Sequence, residues 1–153
     1  MILKVFELIN IVLSTWVSGM YWGPWLALSR SISTFEPNVF LAIVDRLNRN
    51  MASLMTILLP IALLSTIPVL ILSYSTLPKI FYLTLMGLVC FIVTLLVTVL
   101  VEVPIVKQIV GWTVSSLPGN WRQLRDRWGA FHLARIIPSL VGLVLLFVAA
   151  IFQ

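Results

Sequence analysis

The sequence predicts an all-α membrane protein, a bundle of four transmembrane helices, and three observations lead to this fold class. First, 61% of the 153 residues are hydrophobic and only 10% are charged, whereas about a quarter of the residues in an average soluble domain are charged. Second, four stretches contain no Asp, Glu, Lys or Arg; they cover residues 8–29, 50–78, 80–101 and 136–153. Third, each stretch reaches the roughly 18–20 residues with which a helix crosses about 30 Å of hydrocarbon.

The first stretch also resembles a secretory signal peptide, because Lys4 precedes an apolar run and Val17-Ser18-Gly19 imitates a cleavage site. The apolar character continues through Trp25, however, so we expect this stretch to be retained as a helix. Transmembrane strands are excluded, since the apolar runs are continuous and lipid offers no partner for an open sheet edge.

We expect one membrane domain over residues 1–153, with helices at about 3–23, 51–74, 79–103 and 121–152. Proline lacks a backbone donor and crowds the preceding turn. Gly23-Pro24 is therefore predicted to disturb or end helix 1, and Pro104 is predicted to end or bend helix 3. Between helices 1 and 2, the mixed segment 39–50 indicates a short interfacial helix.

Helix 4 is predicted to begin with an amphipathic extension that follows a long third loop. Pro118-Gly119 marks a break in the chain, and Asn120 with Gln123 three residues later fits a capping box. From Trp121 onward the helical pattern is uninterrupted, so we expect the extension and the spanning part to form one helix.

The basic residues are unevenly distributed between the two sides of the predicted bundle. One side carries Arg30, Arg46, Arg49, Lys107, Arg122, Arg125, Arg127 and Arg135, and the other side carries Lys4 and Lys79. Basic residues are retained on the cytoplasmic side of membrane proteins. We therefore expect a protein of the plasma (inner) membrane with loops 1 and 3 in the cytoplasm and both termini outside. The net charge of +5 is explained in this way, and no nucleic-acid partner is expected.

Polar residues within the predicted spans fall on one face of three helices. With residues about 100° apart around a helix axis, the stripes are Glu7, Asn10, Ser14, Ser18 and Tyr21 on helix 1; Thr84, Gly87, Phe91, Thr94, Thr98 and Glu102 on helix 3; and Trp121, Arg125, Trp128, His132, Arg135 and Ser139 on helix 4. All three stripes should face the bundle interior. Small and hydroxyl residues such as those on helix 3 are also typical of simple helix packing.

The stripe on helix 4 indicates a functional site, because ionisable groups inside a membrane are costly unless they are paired or hydrated. The candidate catalytic residues are His132, Arg135, Arg125 and Glu102, and the candidate substrate-binding residues are Trp121, Trp128, Asn10, Ser14 and Asn48. We expect Glu102, at the end of helix 3, to pair with Arg125 or Arg135. The alternative is that the arginines bind lipid phosphates while the tryptophans lie at the interface.

Other chemical signatures are absent from the sequence. There is no Gly-rich phosphate loop, no metal-ligand spacing and no Ser-His-Asp set. Cys90 is the single cysteine, and one histidine cannot supply both axial ligands of a haem. We therefore expect neither a metal site nor a cofactor.

Two sequence segments resemble the anthrone oxygenase-like family of small four-helix membrane proteins. They are Asn48-x-x-Met51 followed by Pro60, and Glu102-x-Pro104-Ile105, then Trp112, then Leu117-Pro118-x-x-Trp121-Arg122-x-x-Arg125-x-x-Trp128-x-x-Phe131-His132-x-x-Arg135. The resemblance implies oxygenation of polycyclic anthrones to anthraquinones without metal or flavin. Members commonly have asparagines around the Pro-Ile step, whereas this chain has Glu102 and Val106 there.

The resemblance leads to a hypothesis of a membrane-embedded, cofactor-independent oxygenase that takes a hydrophobic aromatic compound from the lipid. His132 would be the base, Arg135 or Arg125 the oxyanion partner, and Trp121 and Trp128 the walls of an aromatic slot. The competing hypothesis is a non-catalytic membrane subunit or a lipid- or partner-binding protein, as a homo-oligomer or within a larger membrane complex. A small transporter is less favoured, because many transporters are built from internal repeats and no pair of helices in this sequence shows such a repeat.

Overall fold

The computed structural model describes residues 1–152, apart from the side chain of Ser29, and residue 153 of the predicted domain lies outside this range. The helices are α1 (Ile2–Ala27), α2 (Pro37–Ser73), α3 (Pro78–Val97), α4 (Val103–Val110) and α5 (Trp121–Ile151). A π-helical turn, Thr98–Glu102, joins α3 to α4, and 3₁₀ turns occur at Ser29–Thr34 and Val114–Ser116. No strand occurs within residues 1–152.

Four helical segments are long and apolar enough to cross a membrane, and they are Ile2–Thr34, Pro37–Ser73, Pro78–Val110 and Trp121–Ile151. Large apolar side chains such as Leu64, Ile71 and Val89 are exposed on the outside of the bundle, whereas Asn10 and Thr84 are buried inside it. This distribution suits a lipid solvent. The predicted fold class is confirmed, and the chain is an integral membrane protein with a bundle of four transmembrane helices.

Of the two alternatives predicted at Gly23-Pro24, an end of helix 1 there is wrong, because α1 continues to Ala27. Pro24 removes only one backbone donor near the helix end, and Gly23 before it has no Cβ to clash with the proline ring. The amide of Leu28 still donates to the carbonyl of Pro24 over 2.9 Å.

The predicted separate helix at residues 39–50 is also wrong, since α2 runs without interruption from Pro37 to Ser73. Proline at the first helical position presets the backbone torsion that a helix needs. About two turns further on, Asp45 pairs with Arg49 over 3.0 Å and supports the helix near the point where the break was expected.

Helix 3 was predicted to end or bend at Pro104, and the structure has a π-helical turn immediately before this proline. The amide of Val103 donates to the carbonyl of Thr98, five residues earlier. The wider turn relieves the crowding that a proline ring causes in a regular α-helix. The chain then continues as α4, so the long third loop is partly helical and Glu102 lies at a junction between two helical segments.

The start of α5 at Trp121 agrees with the prediction, but the predicted capping box does not form. Asn120 makes no side-chain capping bond, and its φ of −97° and ψ of 14° lie outside the extended region in which a capping side chain reaches back. The amide of Trp121 instead donates to the carbonyl of Pro118 over 3.0 Å.

Helices α3 and α5 come closest at two glycines in the middle of the bundle. A Cβ on Gly142 would lie 3.0 Å from the Cβ of Cys90 and 3.0 Å from the carbonyl oxygen of Gly87. Small residues allow this approach in membranes, where helices associate by close packing and hydrogen bonds rather than by the hydrophobic effect. Ser18 on α1 adds a hydrogen bond of 3.3 Å to the carbonyl of Ser139 on α5.

Replacing Gly142 with valine should therefore destabilise the bundle, because the added methyl groups force the backbones of α3 and α5 apart. We expect the free energy of unfolding to fall by about 1–3 kcal/mol, as for other overpacked sites. The measurement is unfolding of the purified protein by SDS titration in mixed micelles. Gly19→Val is the control, since the nearest atom to a Cβ there is 4.0 Å away; an equal loss in both variants would refute the explanation.

Candidate functional site

The three polar stripes face the same interior space, as the sequence predicts. The buried members are Glu7, Asn10, Ser14, Ser18 and Tyr21 on α1; Thr84, Gly87, Phe91, Thr94 and Glu102 on α3 and the π-helical turn; and Trp121, Arg125, Trp128, His132 and Ser139 on α5. Near the basic end of the bundle a compact group forms, which we call the seam: Tyr21, Thr98, Glu102, Trp128, His132 and Arg135.

An ion pair between Arg135 and Glu102 lies at the centre of the seam. Their side chains are 13% and 2% exposed, and Nη2 of Arg135 is 3.6 Å from Oε2 of Glu102. This distance gives a charge interaction but no well-formed hydrogen bond. Of the two partners predicted for Glu102, the structure thus selects Arg135.

His132 holds the guanidinium of Arg135 from the other side. Nη2 of Arg135 lies 2.6 Å from Nδ1 of His132, and Nε2 of His132 lies 3.0 Å from the carbonyl oxygen of Tyr21. A carbonyl only accepts hydrogen bonds and a guanidinium only donates them. The imidazole is therefore neutral, with its proton on Nε2, and both of its nitrogens are engaged.

Tyr21 is a seam residue to which the sequence analysis assigned no role. The Arg135 guanidinium lies 4.8 Å from the centre of the Tyr21 ring, a cation–π contact. The Tyr21 hydroxyl is 3.5 Å from that of Thr98. At the same level the hydroxyl of Thr94 donates to the carbonyl of Arg135 over 3.3 Å and ties α3 to α5. The available signal was the position of Tyr21 on the polar stripe of helix 1.

Several buried polar atoms of the seam have no hydrogen-bond partner within the described chain. They are both carboxylate oxygens of Glu102, the indole Nε1 of Trp128 and Nε of Arg135. A buried polar group without a partner costs about 1–3 kcal/mol. The seam therefore contains two acceptors and two donors whose hydrogen-bonding capacity the described chain leaves unused.

The aromatic residues near the seam pack against Phe40 of α2. The Phe40 ring centre lies 6.0 Å from that of Trp121 and 6.4 Å from that of Trp128, and Trp128 lies 5.5 Å from the His132 ring. Phe40 is fully buried. The two tryptophans therefore belong to one packed cluster with Phe40. Sequence reasoning missed Phe40 because it lies in the segment that was expected to form a separate interfacial helix.

Arg125 lies away from the ion pair. It is ten residues before Arg135, which corresponds to about 15 Å along the helix. Its guanidinium contacts Asp126 at 2.8 Å, donates to the carbonyl of Ser33 over 3.3 Å and lies 5.3 Å from the Trp121 ring centre. The structure therefore does not bring Arg125 to Glu102, the alternative pair that the sequence left open.

Three further candidate residues also lie outside the seam. Asn10 donates from Nδ2 to the carbonyl of Ala62 and to the hydroxyls of Ser65 and Thr66, at 2.8–3.2 Å. This position is eleven residues, or about 16 Å along α1, from Tyr21. Ser14 is buried on α1 between Asn10 and Tyr21, and Asn48 is half-buried on α2. The Asn10 contacts tie α1 to α2.

Metal-ligating side chains are scattered through the bundle. Within residues 1–152, no group of three or more His, Cys, Asp or Glu side chains is arranged to hold a metal ion. Cys90 is a free thiol beside the contact between α3 and α5.

The fold and the seam define a four-helix integral membrane protein with a buried, charged group near one end of the bundle. The chain belongs to the anthrone oxygenase family: the family model described as "Anthrone oxygenase" matches residues 40–145, more than half of the sequence. The matched region includes Glu102, Trp128, His132 and Arg135, whereas Tyr21 precedes it. No curated protein and no solved structure matches the chain significantly.

The ion pair should contribute to stability in a way that depends on both partners. Arg135→Gln leaves a buried carboxylate without its cation, and Glu102→Gln leaves the cation without its carboxylate. We expect each change to lower the free energy of unfolding by about 3 kcal/mol, and the double variant to lose clearly less than the sum. The measurement is SDS titration of all four proteins.

Arg122→Gln serves as the control for charge removal, because Arg122 is exposed and should change stability by less than about 0.5 kcal/mol. Additive losses at Arg135 and Glu102 would contradict a direct interaction between them.

Proposed function

We propose that the protein is a membrane-embedded oxygenase that oxidises a hydrophobic polycyclic aromatic compound of the anthrone type without a cofactor. The observation that carries the proposal is the seam itself: a carboxylate and a guanidinium are buried together with unpartnered donors and acceptors. Membership of the anthrone oxygenase family supports the class of substrate. The apolar exterior of the bundle supports entry of the substrate from the lipid.

The chemistry requires a base and a cation, because an anthrone has an acidic methylene group beside two aromatic rings. Removal of one methylene proton gives an anion whose charge is delocalised onto the carbonyl oxygen. This anion gives up its electron pair to O₂, a C–O bond forms at the former methylene carbon, and protonation yields a hydroperoxide. Loss of the second C–H proton and cleavage of the O–O bond release water, so that anthrone and O₂ become anthraquinone and water.

We assign the base to Glu102. His132 was the base expected from the sequence, and that role stays a prediction; its Nδ1 lone pair already accepts from Arg135. Both oxygens of the Glu102 carboxylate, by contrast, accept no hydrogen bond within the described chain. A carboxylate in this setting is available to take a proton from a bound methylene group, and the neighbouring Arg135 balances its charge.

Arg135 is the oxyanion partner in this proposal. A preorganised cation stabilises the negative charge that develops on the substrate oxygen, and it does so most strongly where water is excluded. His132 and the ring of Tyr21 hold the guanidinium in place, and Nε of Arg135 together with Nε1 of Trp128 supplies donors. His132 is thus a positioning residue that acts through Arg135, and the ring of Trp128 lies beside it, 5.5 Å from the His132 ring centre.

The test is turnover of anthrone by the purified protein under ¹⁸O₂, measured as labelled anthraquinone above the spontaneous rate. Glu102→Gln should lower kcat at least about 100-fold, since general bases contribute 10²–10⁴-fold. His132→Asn should retain more activity than His132→Ala, because an amide oxygen can replace Nδ1 as acceptor for Arg135. Arg122→Gln should behave like the wild type, since Arg122 is exposed.

Wild-type turnover by Glu102→Gln together with an inactive His132→Asn would return the base role to His132. If the folded wild type oxidises no anthrone and elutes in a stable larger complex, the enzyme proposal fails. The alternative of a non-catalytic membrane subunit is then supported.

The proposal includes an orientation in the plasma (inner) membrane, with loops 1 and 3 in the cytoplasm and both termini outside. The excess of basic residues on the side of loops 1 and 3 supports this orientation. Starting from Cys90→Ser, which removes the single cysteine, we expect Thr76→Cys to react with a membrane-impermeant maleimide in intact cells. Ser115→Cys should react only after permeabilisation, and both positions are exposed. The reverse labelling pattern would refute this orientation.

A further inference from the structure

A groove of about 490 Å³ opens on the surface of the bundle where α1 ends and α2 begins. This volume is within the range of about 300–1,000 Å³ that is usual for small-molecule sites. Leu28 forms one wall, and the other wall is a single face of α2 that includes Val39, Ile43, Arg46 and Leu47. The groove is therefore apolar for most of its length, with one cationic side chain.

The groove lies on the outer side of α2. The opposite side of the same helix segment carries Phe40 and Val44, which are buried at 0% and 1% exposure and pack with Trp121 and Trp128. Since the inner face is occupied by the protein itself, the groove faces the surroundings of the bundle.

Arg46 has a positive charge that the protein does not balance. Within residues 1–152, no carboxylate lies in ion-pair contact with it, and the neighbouring Asp45 is already bound by Arg49 at 3.0 Å. The other acidic residue of this region, Glu36, is ten residues before Arg46. At the rise of an α-helix, this separation corresponds to about 15 Å. The charge of Arg46 thus favours an anionic ligand.

The position of the groove along α2 corresponds to the headgroup layer. Helix α2 has 37 residues and is about 55 Å long, whereas the hydrocarbon core is only about 30 Å thick. Arg46 lies four residues before the uncharged stretch that starts at Asn50, a rise of about 6 Å. Basic side chains at this depth interact with anionic lipids.

We propose that this groove is a binding site for one anionic phospholipid, with the phosphate at Arg46 and the apolar part of the lipid against Ile43 and Leu47. The site is separate from the seam and does not depend on the oxygenase proposal. The groove combines the two properties of such a lipid, a negative headgroup and an apolar body, on one helix face.

The test is native mass spectrometry of the detergent-purified protein after addition of phosphatidylglycerol or of phosphatidylcholine with the same acyl chains. The wild type should retain one phosphatidylglycerol at least about fivefold more tightly than phosphatidylcholine, the ratio expected for one arginine near a lipid surface. Arg46→Gln should remove this preference. Ala42→Trp should also remove it, since Ala42 lines the groove and the substitution leaves the net charge unchanged.

Arg122→Gln is the matched control, because it removes the same charge at an exposed position that does not line the groove. If Arg122→Gln weakens retention as much as Arg46→Gln, the attraction is a general effect of positive charge and the specific site is refuted. A preference that survives Ala42→Trp also refutes it. A change from dimer to monomer in Ala42→Trp would assign the groove to a second copy of the chain instead.

Discussion

The charge of Arg135 is the constraint on which the basic end of the bundle depends. A guanidinium cannot lose its proton in a protein, so an arginine inside a helix bundle must be neutralised and hydrogen-bonded by its neighbours. Glu102 supplies the opposite charge, His132 an acceptor and Tyr21 a ring face. These residues come from three different helical segments, so one side chain determines how α1, the π-helical turn and α5 meet.

The same arrangement links stability to chemistry. Helices in lipid gain little from the hydrophobic effect between them, and this bundle relies on the close approach at Gly87 and Gly142 and on buried hydrogen bonds such as those of Asn10. At Asn10 these bonds are satisfied within the protein. In the seam Glu102 and Trp128 retain unpartnered polar atoms, and this difference is what distinguishes a packing stripe from a candidate site.

Most of the fold follows from simple properties of the sequence, because a lipid solvent separates apolar spans from charged connections. The interior faces also follow from helical periodicity, which predicts that Asn10, Tyr21 and His132 face the interior, where the structure has them buried. The pairing of Glu102 with Arg135 rather than Arg125 did not follow, since it depends on how far α5 is shifted relative to the π-helical turn. Periodicity within one helix carries no information about such a shift. Phe40 was missed because its segment was expected to form a separate interfacial helix, so its contacts with Trp121 and Trp128 of α5 were not predicted.

The unequal lengths of the helices make the molecule asymmetric across the membrane. At one side α1 begins at Ile2, α2 ends at Ser73, α3 begins at Pro78 and α5 ends at Ile151, so all the extra length of α2 and the connections after α1 and α3 lie at the other side. The connection between helices on the first side is only the short turn of residues 74–77. Of the connections between helices, those after α1 and α3 therefore offer a water-soluble component of the cell the larger contact surface, whichever compartment that side faces.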